Sequence, residues 1–268
     1  KHPPTGGLGL TSGMHDVQNL CWKLAAVLKG EAGVGLLSTY EPERRSSIEK
    51  NVRRSLENGL QWSITGKALK VDDEKMTPAE KRAHLERGVS PKPEDAAFVQ
   101  FVSELHALHS MEFHEQNIEY GYTYASSAVI PDGSVAKFNP DDVRVYVMDA
   151  RPGHPLPHAW VENAQRERIS TIDLVKPGRF LLIAGEDGSE WCEAARTVAV
   201  ELGIDIDAVT IGHSKGDYFD LRLTWARHRG FGSGGAVLVR PDRFVAWRSE
   251  VKSSNMTGEL AAVLTQLL

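Results

Sequence analysis

A glycine-rich turn directly before a helix is the segment of this sequence best suited to binding a ligand. Residues 3–9 read PPTGGLG, and an amphipathic pattern follows. Glycine lets backbone N–H groups approach a ligand closely. The first N–H groups of a helix lack partners within the helix and carry the positive end of its dipole. The segment therefore predicts a site for negative charge or an electron-rich carbonyl, although a turn of this composition can also be an ordinary loop.

Two other sets of residues have side chains that bind metals or carry redox chemistry. His106 and His109 lie one helical turn apart, but no carboxylate or cysteine completes a recognised ligand spacing, so surface histidines are expected and no metal. Cys21 and Cys192 are the only cysteines, far apart and outside any CxxC pattern. This predicts two reduced thiols facing the core.

The charge balance narrows the classes of partner. The 268 residues contain 36 acidic and 31 basic residues, for a formal net charge of −5 and without a basic run. Nucleic acid is therefore not expected as a partner. The sequence shows neither an apolar stretch long enough to cross a membrane nor a signal peptide. The expected location is the cytoplasm.

The first half of the sequence predicts helices. Residues 16–29 form one, capped by Thr11 or Ser12, with its apolar residues on one stripe. Pro42 opens a second helix that runs to about Trp62, and the charges at its start predict a solvated face. The apolar stripe of the first helix consists of Val17, Leu20, Cys21, Leu24, Val27 and Leu28. The charged residues of the second helix are Glu43, Arg44, Arg45, Glu49, Lys50, Arg53 and Arg54.

Two shorter helices and a connector follow in the sequence. Thr77, Pro78 and Glu80 predict a capped helix start, and another helix begins near Pro93. Residues 121–130 suit an extended segment. Residues 136–157, which include Pro140, predict a linker with a short strand at 143–148.

The last third of the sequence predicts an α/β domain. It contains a strand at 179–184, a helix at 189–202, a strand at 208–211, a hairpin from 236–240 and 244–248, and a closing helix from 258. This order is that of a thioredoxin-like layer. Dithiol chemistry would require a CxxC motif, so the domain is expected to be structural and to contribute to self-association.

Longer strings of the sequence resemble a known family. Residues 3–25 (PPTGGLGLTSGMHDVQNLCWKLA) closely resemble the second flavin-binding motif of the single-component FAD-dependent aromatic hydroxylases. The resemblance continues through 36–45 (LLSTYEPERR), 121–124 (GYTY), 127–129 (SAV), 151–160 (RPGHPLPHAW) and 170–174 (STIDL). The pair 235–242 (GAVLVRPD) and 245–248 (VAWR) is typical of the phenol and 2,4-dichlorophenol hydroxylase branch. The match is weakest between residues 63 and 113.

This resemblance implies where a cofactor would lie. The backbone around Gly9, Leu10 and Thr11 would meet the pyrimidine edge of the flavin, where a helix start stabilises the negative charge of the reduced ring. Pro4 would lie beside the ring face, and Gly6 and Gly7 would allow close packing against it. Many relatives have Asn in place of Thr11, but a contact made by backbone tolerates this change.

The resemblance also implies the reaction and the organisation of the chain. The reaction is ortho-hydroxylation of a small phenol with O2 and NAD(P)H, in a protein expected to form a homo-oligomer, with a dimer as one arrangement. We identify no strand–turn–helix of the GxGxxG type, so the chain is interpreted as the C-terminal part of a larger hydroxylase. FAD would then be held mainly by the remainder of that hydroxylase, and no catalytic residue is assigned within this chain. The expected division is residues 1–63 from the FAD-binding domain, 64–140 as a connector, and 141–268 as the thioredoxin-like domain.

Two alternatives remain open at this point. The chain is interpreted either as part of an enzyme or as a non-catalytic structural or oligomerisation module. A thioredoxin-like reductase is a third reading, and it would require a Cys21–Cys192 bridge.

Overall fold

A helical N-terminal half precedes a sheet with helices packed on it. The computed structural model describes residues 2–136 and 142–268. The helices are α1 (Leu8–Lys29), α2 (Tyr40–Ala68), α3 (Pro78–Glu86), α4 (Ala96–His109), α5 (Gln116–Tyr120), α6 (Ser189–Leu202), α7 (Thr224–His228) and α8 (Met256–Leu267). The strands are β1 (Trp160–Glu162), β2 (Arg168–Ser170), β3 (Phe180–Gly185), β4 (Ile206–Gly212), β5 (Tyr218–Phe219), β6 (Ala236–Val239) and β7 (Val245–Ser249).

The strands form one mixed sheet of order β2-β1-β5-β4-β3-β6-β7. Strand β3 pairs parallel with β4 and antiparallel with β6, and β6 pairs antiparallel with β7. The part β4-β3-β6-β7, with α6 as the crossover and α8 closing the chain, has the strand order and directions expected for a thioredoxin-like layer. The α/β prediction is confirmed.

Alternation along β3 produces two cores, one on each face of the sheet. Leu182 and Ala184 face the core that contains Trp191 of α6 and Leu260 of α8, and Trp22 of α1 packs into the same core. Leu181 and Ile183 face a second core around Trp225. Because side chains alternate along a strand, helix α1 lies on the same side of the sheet as α6 and α8.

Several predicted elements are confirmed at their boundaries. Helix α6 spans the predicted residues and ends at Gly203, whose φ is 65°. Helix α3 carries the predicted capping box between Thr77 and Glu80. The predicted hairpin is the pair β6–β7, and the predicted closing helix is α8.

Other predictions were wrong. Residues 142–148 form no strand, and Pro140 of the predicted linker lies outside the described residues. Strands β1, β2 and β5 were not predicted, because runs of two or three residues carry no readable alternation.

Candidate functional site

The glycine turn leads directly into α1. Gly6 and Gly7 have φ values of 84° and 68°, and the N–H of Gly7 donates to the carbonyl of Pro4 at 3.1 Å. Such φ values are strained for residues with a Cβ. A Cβ at Gly6 would also lie 2.9 Å from the Asn58 amide, whereas one at Gly7 would meet nothing within 4 Å. Conformation, rather than lack of room, explains the glycine at position 7.

Helix α1 begins at Leu8, eight residues before its predicted start. Neither Thr11 nor Ser12 caps it. The residue before the helix is Gly7, and no side chain of the described residues caps the helix there. Ser12 lies inside the helix and donates to the carbonyl of Leu8 at 2.8 Å. The first N–H groups of α1 therefore have no side-chain acceptor.

The residues predicted to contact a cofactor come together around this turn. Five of them are exposed and Gly9 is half-buried; the exposed ones are Pro4, Gly6, Gly7, Leu10 and Thr11. A Cβ at Gly9 would lie 3.5 Å from the His2 ring, which is ordinary van der Waals contact. The turn thus presents backbone N–H groups on an open surface of the described chain.

A buried ion pair fixes α1 against α2. Lys23 and Glu43 are both fully buried, with 2.7 Å between the ammonium and a carboxylate oxygen. Asn19 donates to the same carboxylate at 2.7 Å and accepts from Lys23 at 2.8 Å. A buried charge is tolerated only when it is paired and hydrogen-bonded, so these contacts restrict how α1 lies on α2.

The same carboxylate connects both helices to the sheet. Arg240, directly after β6, donates to the two Glu43 oxygens at 2.6 and 2.9 Å. It also donates to Asp242 at 3.0 Å, and Asn19 contacts Asp242 as well. Four charged groups from α1, α2 and the β6–β7 turn are therefore packed together out of solvent. We call Lys23, Glu43, Arg240 and Asp242 the charge cluster.

The pKa values of this cluster show which forces dominate. Burial alone would raise the pKa of Glu43, but Arg240 and then Lys23 lower it to about 2. Burial lowers the pKa of Lys23 although Glu43 acts in the opposite direction. For Arg240, the neighbouring Asp242 and Glu43 outweigh burial and raise its pKa. The Glu43 carboxylate is therefore ionised near neutral pH.

A second set of contacts holds the first half of α1. Arg44 donates to Asp16 at 2.8 Å and to the hydroxyl of Tyr124 at 3.0 Å. Tyr124 in turn stacks on Phe244, with ring centroids 3.9 Å apart. The contacts of Tyr124 are those of a packed side chain, whereas Tyr122 borders a small crevice with Thr11 and His15.

The prediction of a solvated charged face at the start of α2 was wrong for the first two of its residues. Glu43 is 0% exposed and Arg44 is 2% exposed. Sequence reasoning missed them because their partners are not neighbours on the helix. Glu43 pairs with Lys23 and with Arg240, 197 positions away, and no local pattern records that pairing.

The predicted apolar stripe of α1 was also assigned to the wrong side. Val17 and Leu28 are 61% and 84% exposed, and Cys21 is exposed. The buried residues of α1 are Leu8, Ser12, Asn19, Trp22, Lys23 and Ala26. The charge cluster and the contact of Trp22 with Phe180 decide this orientation, so only Cys192 of the two thiols faces the core.

The remaining candidate residues are not brought together. Cys21 and Cys192 are both free thiols, which contradicts the reductase reading. His109 is buried between Thr65 and Glu112, whereas His106 is exposed. Within residues 2–136 and 142–268, no group of three His, Cys, Asp or Glu side chains is placed to hold a metal ion.

One glycine pattern was overlooked in the sequence. Gly230, Gly232 and Gly235 have GxGxxG spacing, but they follow α7 and lead into strand β6 rather than into a helix. Nucleotide binding requires the strand–turn–helix order, so this spacing gives no nucleotide site.

In the part of the chain that the structure covers, none of the helices combines the length and hydrophobicity required of a membrane span.

Comparisons with known proteins assign both ends of the chain to families. Residues 1–55 match the FAD binding domain family, and residues 149–268 match the family described as aromatic-ring hydroxylase, C-terminal. The chain is 37% identical to the 2,4-dichlorophenol 6-monooxygenase of Delftia acidovorans, over 100% of this chain and 45% of that protein. It is 38% identical to the phenol 2-monooxygenase of Pseudomonas sp. (strain EST1001), over 93% of this chain and 41% of that protein.

Solved structures give the same result. The flavin-dependent monooxygenase PieE, in complex with FAD and substrate, superposes with a TM-score of 0.84 at 35% identity, covering 99% of this chain and 46% of that one. The chain thus spans less than half the length of these relatives. Its first segment therefore belongs to the FAD binding domain family, and its last segment belongs to the C-terminal domain family of the aromatic-ring hydroxylases.

Proposed function

We propose that this chain is the C-terminal part of a longer flavin-dependent monooxygenase that hydroxylates a phenolic ring with O2 and NAD(P)H. The observation that carries the proposal is the open glycine turn at the uncapped start of α1, within the segment that matches the FAD-binding family. The similar proteins named as phenol and dichlorophenol monooxygenases support the substrate class. We also propose a cytoplasmic homo-oligomer divided at residues 63 and 140.

The residues of the turn fit a flavin. Gly9, Leu10 and Thr11 would contact the ring through the backbone, Pro4 would lie beside its face, and Gly6 and Gly7 set the bend. Positive φ values at both glycines form the bend that leads into the uncapped first turn of α1. Such a helix start favours negative charge. When bound, FAD supplies the chemistry that transfers oxygen from O2 to the phenolic ring of the substrate.

The charge cluster would act as a support for this site. It ties α1 to the β6–β7 turn through Glu43 and Arg240, which are both buried. The C-terminal domain would therefore hold the helix whose first turn meets the cofactor, and its role would be positioning rather than chemistry. The alternative of a non-catalytic module differs in one respect, since it requires no flavin in the full-length protein.

Flavin content tests the proposal. We expect the 268-residue chain alone to bind FAD weakly or not at all, and the full-length gene product to purify with stoichiometric, yellow flavin. Gly9→Val in the full-length protein should remove the flavin by steric exclusion, while the C-terminal domain keeps its fold by circular dichroism. A full-length protein without flavin would favour the non-catalytic module. Normal flavin content in the Gly9→Val variant would show that the turn is misplaced.

A further inference from the structure

A buried asparagine of helix α2 lies directly against the glycine turn. Asn58 is fully buried, and a Cβ added at Gly6 would lie 2.9 Å from its amide nitrogen. At the next position of α2, a Cβ added at Gly59 would lie 3.1 Å from the hydroxyl oxygen of Thr5. Two consecutive residues of α2 therefore pack against two consecutive residues of the turn, which leaves the turn no room to move toward α2.

The amide of Asn58 is also bonded to a carboxylate from the middle of the chain. Its nitrogen donates to Glu115 at 3.0 Å, and Arg54 donates to the same carboxylate oxygen at 2.6 Å. The Glu115 side chain is 1% exposed. Because a carboxylate only accepts hydrogen bonds, this pairing fixes which end of the Asn58 amide faces Glu115. Neither Asn58 nor Glu115 lies in a segment that the families match, which are residues 1–55 and 149–268.

Stability alone does not account for these three side chains. Each has one buried polar atom without a hydrogen-bond partner among the described residues, namely Nη2 of Arg54, Oδ1 of Asn58 and Oε2 of Glu115. An unpaired buried polar atom opposes folding, and well-packed apolar side chains of similar volume would avoid that loss. Groups that a protein retains against its own stability are characteristic of functional sites.

The charge cluster lies too far along α2 to hold the turn directly. Glu43 and Asn58 belong to the same helix, and the rise between them is about 22 Å. The charge cluster fixes how α1 as a whole lies on α2 and on the sheet. Contact with the turn itself comes from Asn58, at the other end of α2.

Resting on the function proposed above, we propose that Asn58 is a positioning residue for the glycine turn, and that Glu115 and Arg54 hold its amide in place. Asn58 acts through Gly6, and the placement of the turn sets how the N–H groups at the start of α1 meet the flavin. The middle of the chain thereby takes part in cofactor binding through Glu115.

An exchange of donor and acceptor tests this arrangement. Asn58→Asp keeps the shape of the side chain but sets two carboxylates against each other, which should displace the turn. Adding Glu115→Gln restores one donor and one acceptor in the same shapes and leaves one carboxylate beside Arg54. Asn163→Asp is the matched control, because Asn163 also donates to a glutamate, at 2.7 Å, within the C-terminal domain.

Flavin binding by the full-length gene product is the first measurement. Asn58→Asp should raise the dissociation constant for FAD ~10-fold, as expected for the loss of one hydrogen bond that orders the site. It should also shift the visible absorption of the bound flavin. The double variant should recover most of the affinity and the wild-type spectrum, whereas Asn163→Asp should alter neither. A role in stability alone would move the thermal midpoint and leave the spectrum of the bound flavin unchanged.

Hydrogen exchange in the flavin-free full-length product is the second measurement. The N–H of Gly7, which donates to the carbonyl of Pro4 at 3.1 Å, reports the conformation of the turn without a cofactor. It should exchange faster in Asn58→Asp and slow again in the double variant. If Asn58→Asp does not fold by circular dichroism, Asn58→Ala removes the donor without adding a charge and must give the same two changes.

Two results would overturn the inference. They are unchanged flavin affinity with unchanged exchange at Gly7, and a double variant that recovers neither property. A wild-type product that binds no flavin would instead remove the proposed function, and exchange at Gly7 would still decide whether Asn58 positions the turn.

Discussion

Helices α1 and α6 pack into the same core but expose opposite kinds of side chain to solvent. Helix α6 buries Trp191, Cys192, Ala194, Ala195 and Val198 and exposes its charges, including Glu193 and Arg196. Helix α1 buries Lys23 and Asn19 beside Trp22 and leaves Val17 and Leu28 exposed. The difference indicates that α6 is complete within this chain, whereas α1 is held here mainly by specific polar contacts.

Removing a charge should distinguish the helices most strongly. Arg240→Met leaves Glu43 and Asp242 buried with fewer partners, so the free energy of unfolding should fall by roughly 3–5 kcal/mol. The control, Arg196→Met on the exposed side of α6, should change it by about 0.5 kcal/mol or less. Urea unfolding monitored by circular dichroism measures both. Equal losses in the two variants would mean that the charge cluster does not hold α1.

Acid should weaken the α1 side selectively. Because the pKa of Glu43 is lowered to about 2, its contribution is present above pH 4.5 and is lost as the pH falls toward 2. The shift corresponds to about 3 kcal/mol. The unfolding free energies of the wild type and of Glu43→Gln should therefore converge as the pH is lowered from 5 to 2. The control Glu193→Gln should remain parallel to the wild type, and a Glu43→Gln curve that is also parallel would contradict the prediction.

Shortening a valine should destabilise the protein more in α6 than in α1. Val198→Ala in α6 empties space in the core, since Val198 is 0% exposed, and should cost about 1–3 kcal/mol. Val17→Ala in α1 should cost less than about 0.5 kcal/mol in the 268-residue chain. The urea midpoints of the two variants give the comparison. A large loss for Val17→Ala would show that this side of α1 is already covered within this chain.

The glycine before α1 and the glycine after α6 should lose similar stability when replaced by alanine. Gly7 before α1 and Gly203 after α6 have φ values of 68° and 65°, and an added Cβ would meet nothing within 4 Å at either position. Gly7→Ala and Gly203→Ala should each cost about 1 kcal/mol through backbone strain alone. Unfolding free energies measure this cost. A much larger loss at Gly7 would reveal a contact of the turn beyond its conformation.

Sequence reasoning succeeded where the signals are local. The prolines and capping residues that start α3, the glycine that ends α6 and the apolar run of β3 all act within a few residues, and these elements lie where they were predicted. The glycine turn was also recognised as the candidate site. Its cofactor contacts remain a prediction, and their recognition depended on a family resemblance beyond the local pattern.

The sequence failed where the deciding partner is distant. The helix was predicted to begin at residue 16, yet α1 begins at Leu8, and Gly9 and Gly13 lie inside it. Intrinsic penalties of about 1 kcal/mol for each such glycine are smaller than the packing that α1 gains. Short strands such as β5 were equally unreadable, because pairing with β4 and β1 defines them.

By itself, the sequence determined the glycine turn and most of the longer helices and strands, since these follow from local conformational preferences. Only the tertiary structure decided which side of α1 is buried. Glu43 and Arg240 are 197 positions apart, and the need to pair buried charges turned the polar side of α1 inward against the apolar pattern. That single choice leaves Val17 and Leu28 of α1, and the turn that precedes the helix, exposed.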